Sequence, residues 1–303
     1  MSKIFRIESI SQIHEMVGYE KPKHPLISLI ESSNIKPVMP VVDLQVTSDL
    51  YTISLKNGSE CRIKYGRQNY DFQEGSLIFI APNQLIEPIS IEDYEKLKDW
   101  EGWLLMFHPD LIRKSTLTKK MNEYTFFSYD SYEALHLSEQ ERKIVTDIVQ
   151  KIKIEYSQNL DGYSHELIVS NIELLLNYCK RFYARQFITR SSVNKDIVVK
   201  FEEFLKEYFN SDKLGIEGLP TVKMCAEVMC YSPNYLSDLL KKETGKNTQE
   251  HIYYYLIEKA KNLLLGTREP IKSIAYSLGF DYPQHFSKLF KSKTGVSPAE
   301  YRN

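Results

Sequence analysis

Cysteine is scarce in this sequence, with four residues among 303 and no Cys-x-x-Cys pair. This scarcity excludes a disulfide-stapled fold and the common zinc-binding motifs, and it favours a reducing compartment. The first twenty residues mix charged and apolar side chains and lack the apolar core of a signal peptide. No run approaches the roughly 18 apolar residues that a membrane helix needs. We therefore expect a cytoplasmic protein that does not contact a membrane.

Glycine and proline are also infrequent, at 12 residues each, which excludes collagen-like and low-complexity chains. Neither sign of charge dominates, because 39 Lys and Arg residues stand against 40 Asp and Glu residues. Balance over a whole chain can nevertheless conceal a local basic face. From Lys241 onward the sequence has 11 basic and 6 acidic residues, a net charge of +5. The C-terminal part is therefore the part suited to binding a polyanion.

The recurrent catalytic and nucleotide-binding motifs are missing. There is no Gly-x-Gly-x-x-Gly fingerprint, no P-loop and no Gly-x-Ser-x-Gly elbow. The seven histidines include no His-x-His pair, so a local motif cannot supply a zinc or 2-His-1-carboxylate centre. His108 is expected to end a strand, and Cys61 and Cys179 are expected to be small buried hydrophobes. We expect no catalytic residues, no metal and no cofactor.

The sequence up to about residue 130 has the pattern of short strands. Runs rich in β-branched and aromatic residues are separated by turn signals such as Asn57-Gly58. The predicted strands occupy residues 41–46, 50–55, 62–65, 75–83 and 102–107. Such a succession is typical of a small antiparallel barrel or sandwich.

The hydrophobic period changes near residue 138. Ser138 and Glu141 form a capping-box pattern, and apolar residues follow at spacings of four. A second amphipathic helix is predicted to start near Ser164. Two such helices behind a β-domain are most simply a packing layer, and a dimer seam is the alternative.

A length of 303 residues favours two domains over one. Residues 190–195 are polar and show no hydrophobic period, so we place a linker there. Residues 1–190 then form one domain. Residues 196–303, which show helical patterns throughout, form the other.

The helical C-terminal part contains an internal repeat. Residues 233–245 and residues 283–295 share Pro, Ser, Leu, Lys, Thr and Gly at an offset of fifty. The helices before them match at an offset of 49, so the second turn is expected to be one residue longer. Each unit is a short helix, a tight turn and a second helix that ends at Gly245 or Gly295. This layout is that of a helix-turn-helix, whose second helix can enter a DNA major groove.

Both units show local signals for this turn. Ala226 and Ala275 are small residues that let the two helices of each unit approach closely. Ser232 is expected to cap the first recognition helix, with Pro233 at its first position. Asp281 is expected to cap the second recognition helix.

A long helix is predicted between the two units, from Thr248 to Leu265, with Gly266 as its end. Eighteen residues at about 1.5 Å each span about 27 Å. Two recognition helices held by such a rod could lie about one DNA turn, roughly 34 Å, apart. The spacing therefore permits two groove-reading helices on one face of a duplex.

The side of each recognition helix opposite its apolar stripe has groups that can bind DNA. Amides can bond adenine N6 and N7, lysine can donate to guanine O6 and N7, and a carboxylate can accept from cytosine N4. Helix N-termini at Ser232 and Asp281 add backbone N–H donors for phosphate. Four lysines suit phosphates, which fix register without reading sequence: Lys241, Lys242, Lys291 and Lys293. A solvated helix face is the plain alternative for such lysines, and the duplicated unit favours DNA over it.

The C-terminal repeat resembles the AraC/XylS family of bacterial transcription regulators. The most specific positions are Ile274, Ala275, Gly279, Phe280, residues 286–291, residues 295–298, Tyr301 and Arg302. The resemblance covers about a third of the chain and implies a tandem helix-turn-helix that reads DNA. It implies that the base-edge contacts are Asn234, Ser237, Asp238, Gln284, His285 and Lys288.

Three positions depart from the family's usual pattern. Leu256 stands early in the connecting helix where an arginine is usual, and Lys288 stands where arginine is frequent. Asp238 stands where many members have a polar or basic residue. The last departure affects the base preference of the first unit.

Before the repeat, the family commonly has a cupin-like barrel that senses a small molecule and helps the protein to dimerise. Residues 72–84 look like the Gly-strand-Pro element of such barrels. We thus expect an α+β chain, with an N-terminal antiparallel cupin-like β-barrel and flanking helices followed by an all-α tandem helix-turn-helix domain. The resemblance implies a transcription regulator, an activator or a repressor. Its expected partners are double-stranded DNA, a small-molecule effector and a second copy in a homodimer, with RNA polymerase as a further candidate.

Three other function classes fit parts of the pattern. A cupin-type enzyme with an appended DNA module is disfavoured by the missing metal ligands. A DNA-repair methyl acceptor would need a zinc-held cysteine cluster, whereas Cys61 stands alone in its region. A protein-interaction scaffold would use the helical repeat for protein contacts instead of DNA.

Overall fold

The computed structural model describes residues 4–32, 45–57, 75–86, 101–130, 133–158 and 161–303. The chain divides into two compact bodies, Met1–Arg190 and Ser191–Asn303. The first contains both strands and helices, and the second is all-helical in its secondary structure. No helix in the part that the structure describes is long and apolar enough to cross a bilayer.

The N-terminal body starts with strands and ends with two long helices. Its elements are β1 (Ile4–Ile7), α1 (Ile10–Met16), β2 (Ile27–Glu31), β3 (Gln45–Ser48), β4 (Tyr51–Asn57), β5 (Ser76–Ile80), β6 (Leu85–Ile86), β7 (Glu101–Phe107), α2 (Leu117–Lys120), β8 (Leu135–His136), α3 (Glu139–Ser157) and α4 (Ser164–Thr189). The strands predicted at 50–55, 75–83 and 102–107 are confirmed as β4, β5 and β7. His108 ends β7 as predicted, and its ring accepts the Asp110 N–H at 3.2 Å.

Five strands form an antiparallel sheet in the order β2-β7-β4-β5-β8. Leu105 of β7 lies opposite both Leu29 of β2 and Ile53 of β4, and Ile53 lies opposite Phe79 of β5. All four side chains are buried. Because alternate residues of a strand point to one face, this apolar row marks a buried face of the sheet.

A second sheet has three strands in the order β1-β3-β6, and its β1 and β3 run parallel. The described strands therefore form two sheets, one with a parallel pair, and not the closed antiparallel barrel that we expected. Parallel pairing needs a long crossover, and the chain between β1 and β3 includes α1 and β2. The predicted strand segments 41–44 and 62–65, together with Gly58, Cys61 and residues 72–74, lie outside the described residues.

Helices α3 and α4 pack against the five-stranded sheet, as the packing-layer interpretation predicts. The capping box at the start of α3 is confirmed, because Ser138 and Glu141 each accept the other's backbone N–H. The Leu29 N–H donates to the Tyr156 hydroxyl of α3 at 2.9 Å. The rings of Phe79 and Tyr183, from β5 and α4, have centroids 6.1 Å apart.

The segment predicted as an aperiodic linker is helical from Ser191 onward, so that prediction was wrong in its conformation. Arg190 makes a turn after α4, and the next helix, α5, spans Ser191–Asn210. Asn194 is only 1% exposed, and its amide donates to the Glu243 carboxylate at 3.1 Å. A polar residue thus occupies a buried position, which is why the hydrophobic pattern gave no helical signal there.

The C-terminal body is a succession of helices joined by short turns. After α5 these are α6 (Lys213–Glu217), α7 (Val222–Met229), α8 (Pro233–Thr244), α9 (Thr248–Gly266), α10 (Ile271–Ser277), α11 (Pro283–Thr294) and α12 (Pro298–Arg302). Helices α7 and α8 with Gly245 form the first unit, residues 222–245. Helices α10 and α11 with Gly295 form the second unit, residues 271–295.

Candidate nucleic-acid interface

The turns of the two units have the same left-handed backbone position and the same backbone hydrogen bond after it. Cys230 has a left-handed backbone with φ 58°, and the N–H of Tyr231 donates to the Ala226 carbonyl at 3.0 Å. In the second unit Gly279 takes the left-handed position at φ 80°, and the residue after it makes the equivalent bond at 3.1 Å. The second unit has one more residue between the left-handed position and the N-cap, which confirms the predicted longer turn.

Gly279 also meets a close approach of the backbone. A Cβ atom at this position would lie 2.8 Å from both the Cα of Gly218 and the carbonyl oxygen of Leu214. Glycine is therefore required here by its surroundings as well as by its φ angle. The contact fixes the turn of the second unit against the segment that precedes the first unit.

The first recognition helix, α8, begins as predicted. The hydroxyl of Ser232 accepts the Tyr235 N–H at 3.3 Å, and Pro233 occupies the first helical position. Leu236 and Leu240 are buried and form the inner stripe. Ser232 is itself only 3% exposed, because its side chain caps the helix. This burial argues against the predicted phosphate contact at Ser232.

The second recognition helix, α11, begins differently from our expectation. Its N-cap is Tyr282, which makes no side-chain capping bond, and not Asp281. The extra residue in the second turn shifts the helix start by one position, so Asp281 lies too early to cap. Phe286 and Phe290 are buried on the inner stripe. The end of this helix that would face a duplex thus has no side-chain cap.

Four of the six predicted base contacts have exposed side chains. Asn234 lies in the first turn of α8, and Gln284, His285 and Lys288 lie on the first two turns of α11. The ring of His285 packs edge-on against Tyr282, with centroids 5.4 Å apart. These side chains lie opposite the buried stripes, as a groove-reading surface requires.

The remaining two candidates, Ser237 and Asp238, are half-buried. The hydroxyl of Ser237 lies 3.0 Å from that of Thr248, which is fully buried at the start of α9. Ser237 therefore joins the first recognition helix to the connecting helix. This structural bond is a role that the sequence pattern did not reveal.

The four lysines proposed for phosphate contacts are all exposed: Lys241, Lys242, Lys291 and Lys293. The ammonium of Lys293 lies 5.3 Å from the ring centroid of Tyr253 on α9. Lys246, just after the first unit, lies 4.3 Å from the ring of Tyr254. Consecutive tyrosines of the connecting helix thus hold one lysine next to each recognition helix.

The connecting helix is fixed at both ends, as a rigid rod would need. Asn247 and Glu250 form a capping box at its start. The Lys259 ammonium donates to the carbonyl of Phe209 at the end of α5. Near its C-terminus, Arg302 donates from Nε to the Leu264 carbonyl at 3.2 Å. The predicted helix 248–265 is confirmed as α9.

Sequence reasoning missed two exposed lysines outside the recognition helices. Lys223 and Lys272 occupy the second position of α7 and α10, the first helices of the two units. The first helix of a helix-turn-helix crosses the DNA backbone, so these lysines suit phosphates. The offset of 49 that aligns the two helices was the signal that could have identified them.

The N-terminal body contains a cleft of about 570 Å³ between the sheet and α3. Its wall includes Trp103, whose indole N–H donates to the Thr146 hydroxyl at 3.3 Å. Ionisable side chains of both signs line it: Glu31, Glu139, Arg142, Lys143 and Asp147. A hydrogen bond from Lys153 lowers the pKa of the Glu31 carboxyl. The cleft has the size of a small-molecule site.

Metal-ligating side chains and buried thiols of the described residues were the remaining candidates for chemistry. No cluster of three His, Cys, Asp or Glu side chains that could hold a metal ion occurs in the described ranges. Cys179 is fully buried as predicted, and burial raises the pKa of its thiol. Burial also raises the pKa of the Cys225 thiol to about 12. Burial of this kind is typical of structural cysteines and not of reactive ones.

Comparisons with known proteins agree on the C-terminal body. Residues 225–303 match a model of a helix-turn-helix domain. An uncharacterized HTH-type transcriptional regulator of Bacillus subtilis, YobQ, is 37% identical over 83 residues, 27% of this chain and 34% of YobQ. The arabinose operon regulatory protein of Escherichia coli is 39% identical over 151 residues, 49% of this chain and 48% of that protein.

A longer match is found with the arabinose operon regulatory protein of Salmonella typhimurium. It is 24% identical over 257 residues, which is 83% of each chain. In the YobQ and Escherichia coli matches, by contrast, the chain spans about a third and about half of the relative's length. The stronger identity is thus found in shorter matches, and the family model covers the two helix-turn-helix units almost entirely.

Proposed function

We propose that this chain is a transcription regulator of the AraC/XylS family, which binds a promoter sequence-specifically and regulates transcription there. The observation that supports this most strongly is the duplicated helix-turn-helix. Each unit buries an apolar stripe and exposes polar and basic side chains on the opposite side of its second helix. Two such helices joined by a capped connecting helix suit two adjacent stretches of major groove.

The proposed contacts follow from exposure. Asn234, Gln284, His285 and Lys288 reach base edges, and Asp238 lies beside them on the first helix. Phosphates are bound by six exposed lysines: Lys241, Lys242, Lys291, Lys293, Lys223 and Lys272. Ser237 supports the first recognition helix through Thr248 and contributes little to base reading.

The N-terminal body is proposed to sense a small-molecule effector and to form a homodimer. The cleft beside Trp103 supports the sensing role, because it is large enough for a small ligand. Two relatives are regulators of the arabinose operon by name. We propose the same kind of role here, with an effector that need not be theirs. The proposal includes a cytoplasmic location, no catalysis and RNA polymerase as a further partner.

Selection of duplexes from a random pool by the full-length chain tests the DNA-binding proposal. The expected result is enrichment of a two-part motif that the chain binds more tightly than a scrambled duplex. Recovery of no motif, together with equal affinity for the scrambled duplex, would refute sequence-specific regulation. The effector proposal fails if operator affinity is the same with and without a ligand whose binding is verified, because a ligand without preference shifts no equilibrium.

A further inference from the structure

The two units are built alike but differ in charge. The first unit contains three basic and three acidic residues, for a net charge of 0. The second contains four basic residues and one acidic residue, for a net charge of +3. Attraction to DNA phosphates grows with the number of basic groups that meet them. The two units are therefore not equivalent partners for a duplex.

The difference arises at positions that the repeat makes equivalent. At each of these positions the first unit has an acidic residue where the second unit has a neutral or basic one. The pairs are Glu227 and Tyr276, Asp238 and Lys288, and Glu243 and Lys293. Since both units have the same left-handed turn position and the same backbone hydrogen bond after it, the substituted charges can be compared on similar backbones.

The first helices show the contrast in matched geometry. Lys223 lies 3.9 Å from the carboxylate of Glu227, one turn later, and both side chains are largely exposed at 80% and 66%. Lys272 lies in the equivalent position 5.8 Å from the ring centroid of Tyr276. The nearby carboxylate lowers the net positive charge that the first helix presents to a phosphate, whereas the ring of Tyr276 has no charge and leaves that of Lys272 unopposed.

The recognition helices show a second contrast. Lys288 attracts phosphates and can donate to guanine O6 and N7. The equivalent Asp238 is repelled by phosphates and by the acceptor groups of guanine, and among the groups at the base edges only an amino group such as cytosine N4 can donate to a carboxylate. A carboxylate at this position thus selects sequence by rejecting most alternatives.

The N-terminal ends of the two recognition helices also differ in a way that favours phosphate binding by the second unit. In α8 the Ser232 hydroxyl accepts a hydrogen bond from the Tyr235 N–H, whereas Tyr282, the N-cap of α11, makes no side-chain capping bond. Uncapped N-terminal N–H groups and the helix dipole favour a bound phosphate. Lys293, held beside Tyr253, adds a charge at the other end of α11.

We propose that the two units contribute unequally to binding: the second unit, in addition to its base contacts, supplies most of the attraction to phosphates, and the first unit adds sequence selection by rejection, chiefly through Asp238. This inference rests on the proposed DNA-binding function. It predicts that equivalent substitutions in the two units have unequal effects. It also predicts that removal of one acidic group strengthens binding to unselected DNA.

The test uses the full-length chain and a mixed-sequence duplex of about 30 base pairs, titrated by fluorescence anisotropy between about 50 and 200 mM salt. Lys272→Ala should flatten the slope of log affinity against log salt by about one, so that the fall in affinity across that range is about three- to fourfold smaller than for the unmodified chain. The matched variant Lys223→Ala should change the slope by less than half as much. Circular dichroism of each variant verifies that the fold is retained.

Asp238→Asn provides the second arm. It should raise affinity for the mixed-sequence duplex by about threefold and reduce the preference for the selected motif. Equal slopes for the two lysine variants, or an Asp238→Asn chain with unchanged affinity for mixed DNA, would overturn the unequal contribution of the two units. If the unmodified chain binds no duplex at all, the DNA-binding proposal fails and the inference fails with it. Symmetrical losses in a chain that does bind overturn the inference alone.

Discussion

The hydroxyl of Ser237 on α8 lies 3.0 Å from the hydroxyl of Thr248 at the start of α9. Thr248 is fully buried, so its hydroxyl depends on this partner inside the protein. The bond ties the first recognition helix to the connecting helix. A residue expected at the DNA surface thus belongs in part to the framework that positions that surface.

Replacement of Ser237 by alanine should therefore destabilise the protein more than it alters base preference. Loss of the partner of a buried hydroxyl is expected to lower the free energy of unfolding by about 1 kcal/mol. Chemical denaturation measures that loss, and binding to the selected motif and its single-base variants measures preference. Ser287 is the matched control, because it has the same place in the second unit and bonds to the Pro283 carbonyl of its own helix. A changed base preference at unchanged stability would assign Ser237 to the base edge.

Gly279→Ala should be among the most damaging single substitutions in the C-terminal body. The new Cβ would meet two backbone atoms at 2.8 Å in a left-handed conformation. The strained φ and the overpacking together should cost about 2–4 kcal/mol. Gly245→Ala, at φ 77° with no atom within 4 Å of its Cβ, should cost only about 1 kcal/mol. Thermal unfolding of the two variants distinguishes them, and equal losses would contradict the close approach.

His251 on α9 should make stability depend on pH. Its ring is 5% exposed and bonds to the Thr244 hydroxyl at 2.8 Å. Burial lowers its pKa, and Lys246 acts in the same direction, while Glu202 and Glu250 oppose them. The folded state therefore binds this proton less readily than the unfolded state does.

Because the folded pKa lies below the ordinary value of 6.5, the contribution is fully present above that pH and is lost as the pH falls below it towards the folded pKa. We expect the free energy of unfolding to decrease from about pH 7.5 to about pH 5. His251→Gln should remove part of that decrease. His24, whose pKa burial also lowers, should still contribute in the variant. Identical pH profiles for the two chains would exclude His251 as a source.

Lys288→Ala should weaken binding to the selected motif by about 1–3 kcal/mol, the usual value of a good base contact. Its side chain is exposed on α11 and faces away from the buried stripe. The measurement compares affinity for the motif with affinity for a scrambled duplex. An equal loss on both would reassign Lys288 to the DNA backbone.

Lys241→Ala should behave in the opposite way. The lysine lies exposed in the last turn of α8, where phosphate contact would not report sequence. Affinity should fall on all duplexes alike, and the salt dependence should flatten by about one unit. A salt titration with an unchanged slope would refute the phosphate contact.

The parts of the fold that were predictable depend on residues close together in the chain. The capping box of Ser138 and Glu141 and the cap at Ser232 each involve neighbours three residues apart. The repeat was recognisable because both units build the same turn and the same helix end from the same residue types. The same reasoning failed at Asp281, where one extra turn residue moves the helix start.

The unpredicted parts depend on partners that are distant in sequence. The parallel pairing of β1 with β3 depends on how the chain crosses over between them, which alternation of side chains does not encode. Asn194 was predicted to lie in a linker, because its partner Glu243 is 49 residues away and no local pattern indicates their contact. The bond between Ser237 and Thr248 was not predicted, because Ser237 lies at a groove-facing position where a serine is also expected to contact DNA.

Base-resolution footprinting of the full-length chain on its selected motif, repeated with Asp238→Asn and Lys288→Ala, tests the central claim most directly. Two recognition helices on one face of a duplex predict two protected half-sites with centres about 10 base pairs apart. Each variant should then relax the preference in a different half-site. A single protected site, or two variants that alter the same bases, would contradict a tandem reader.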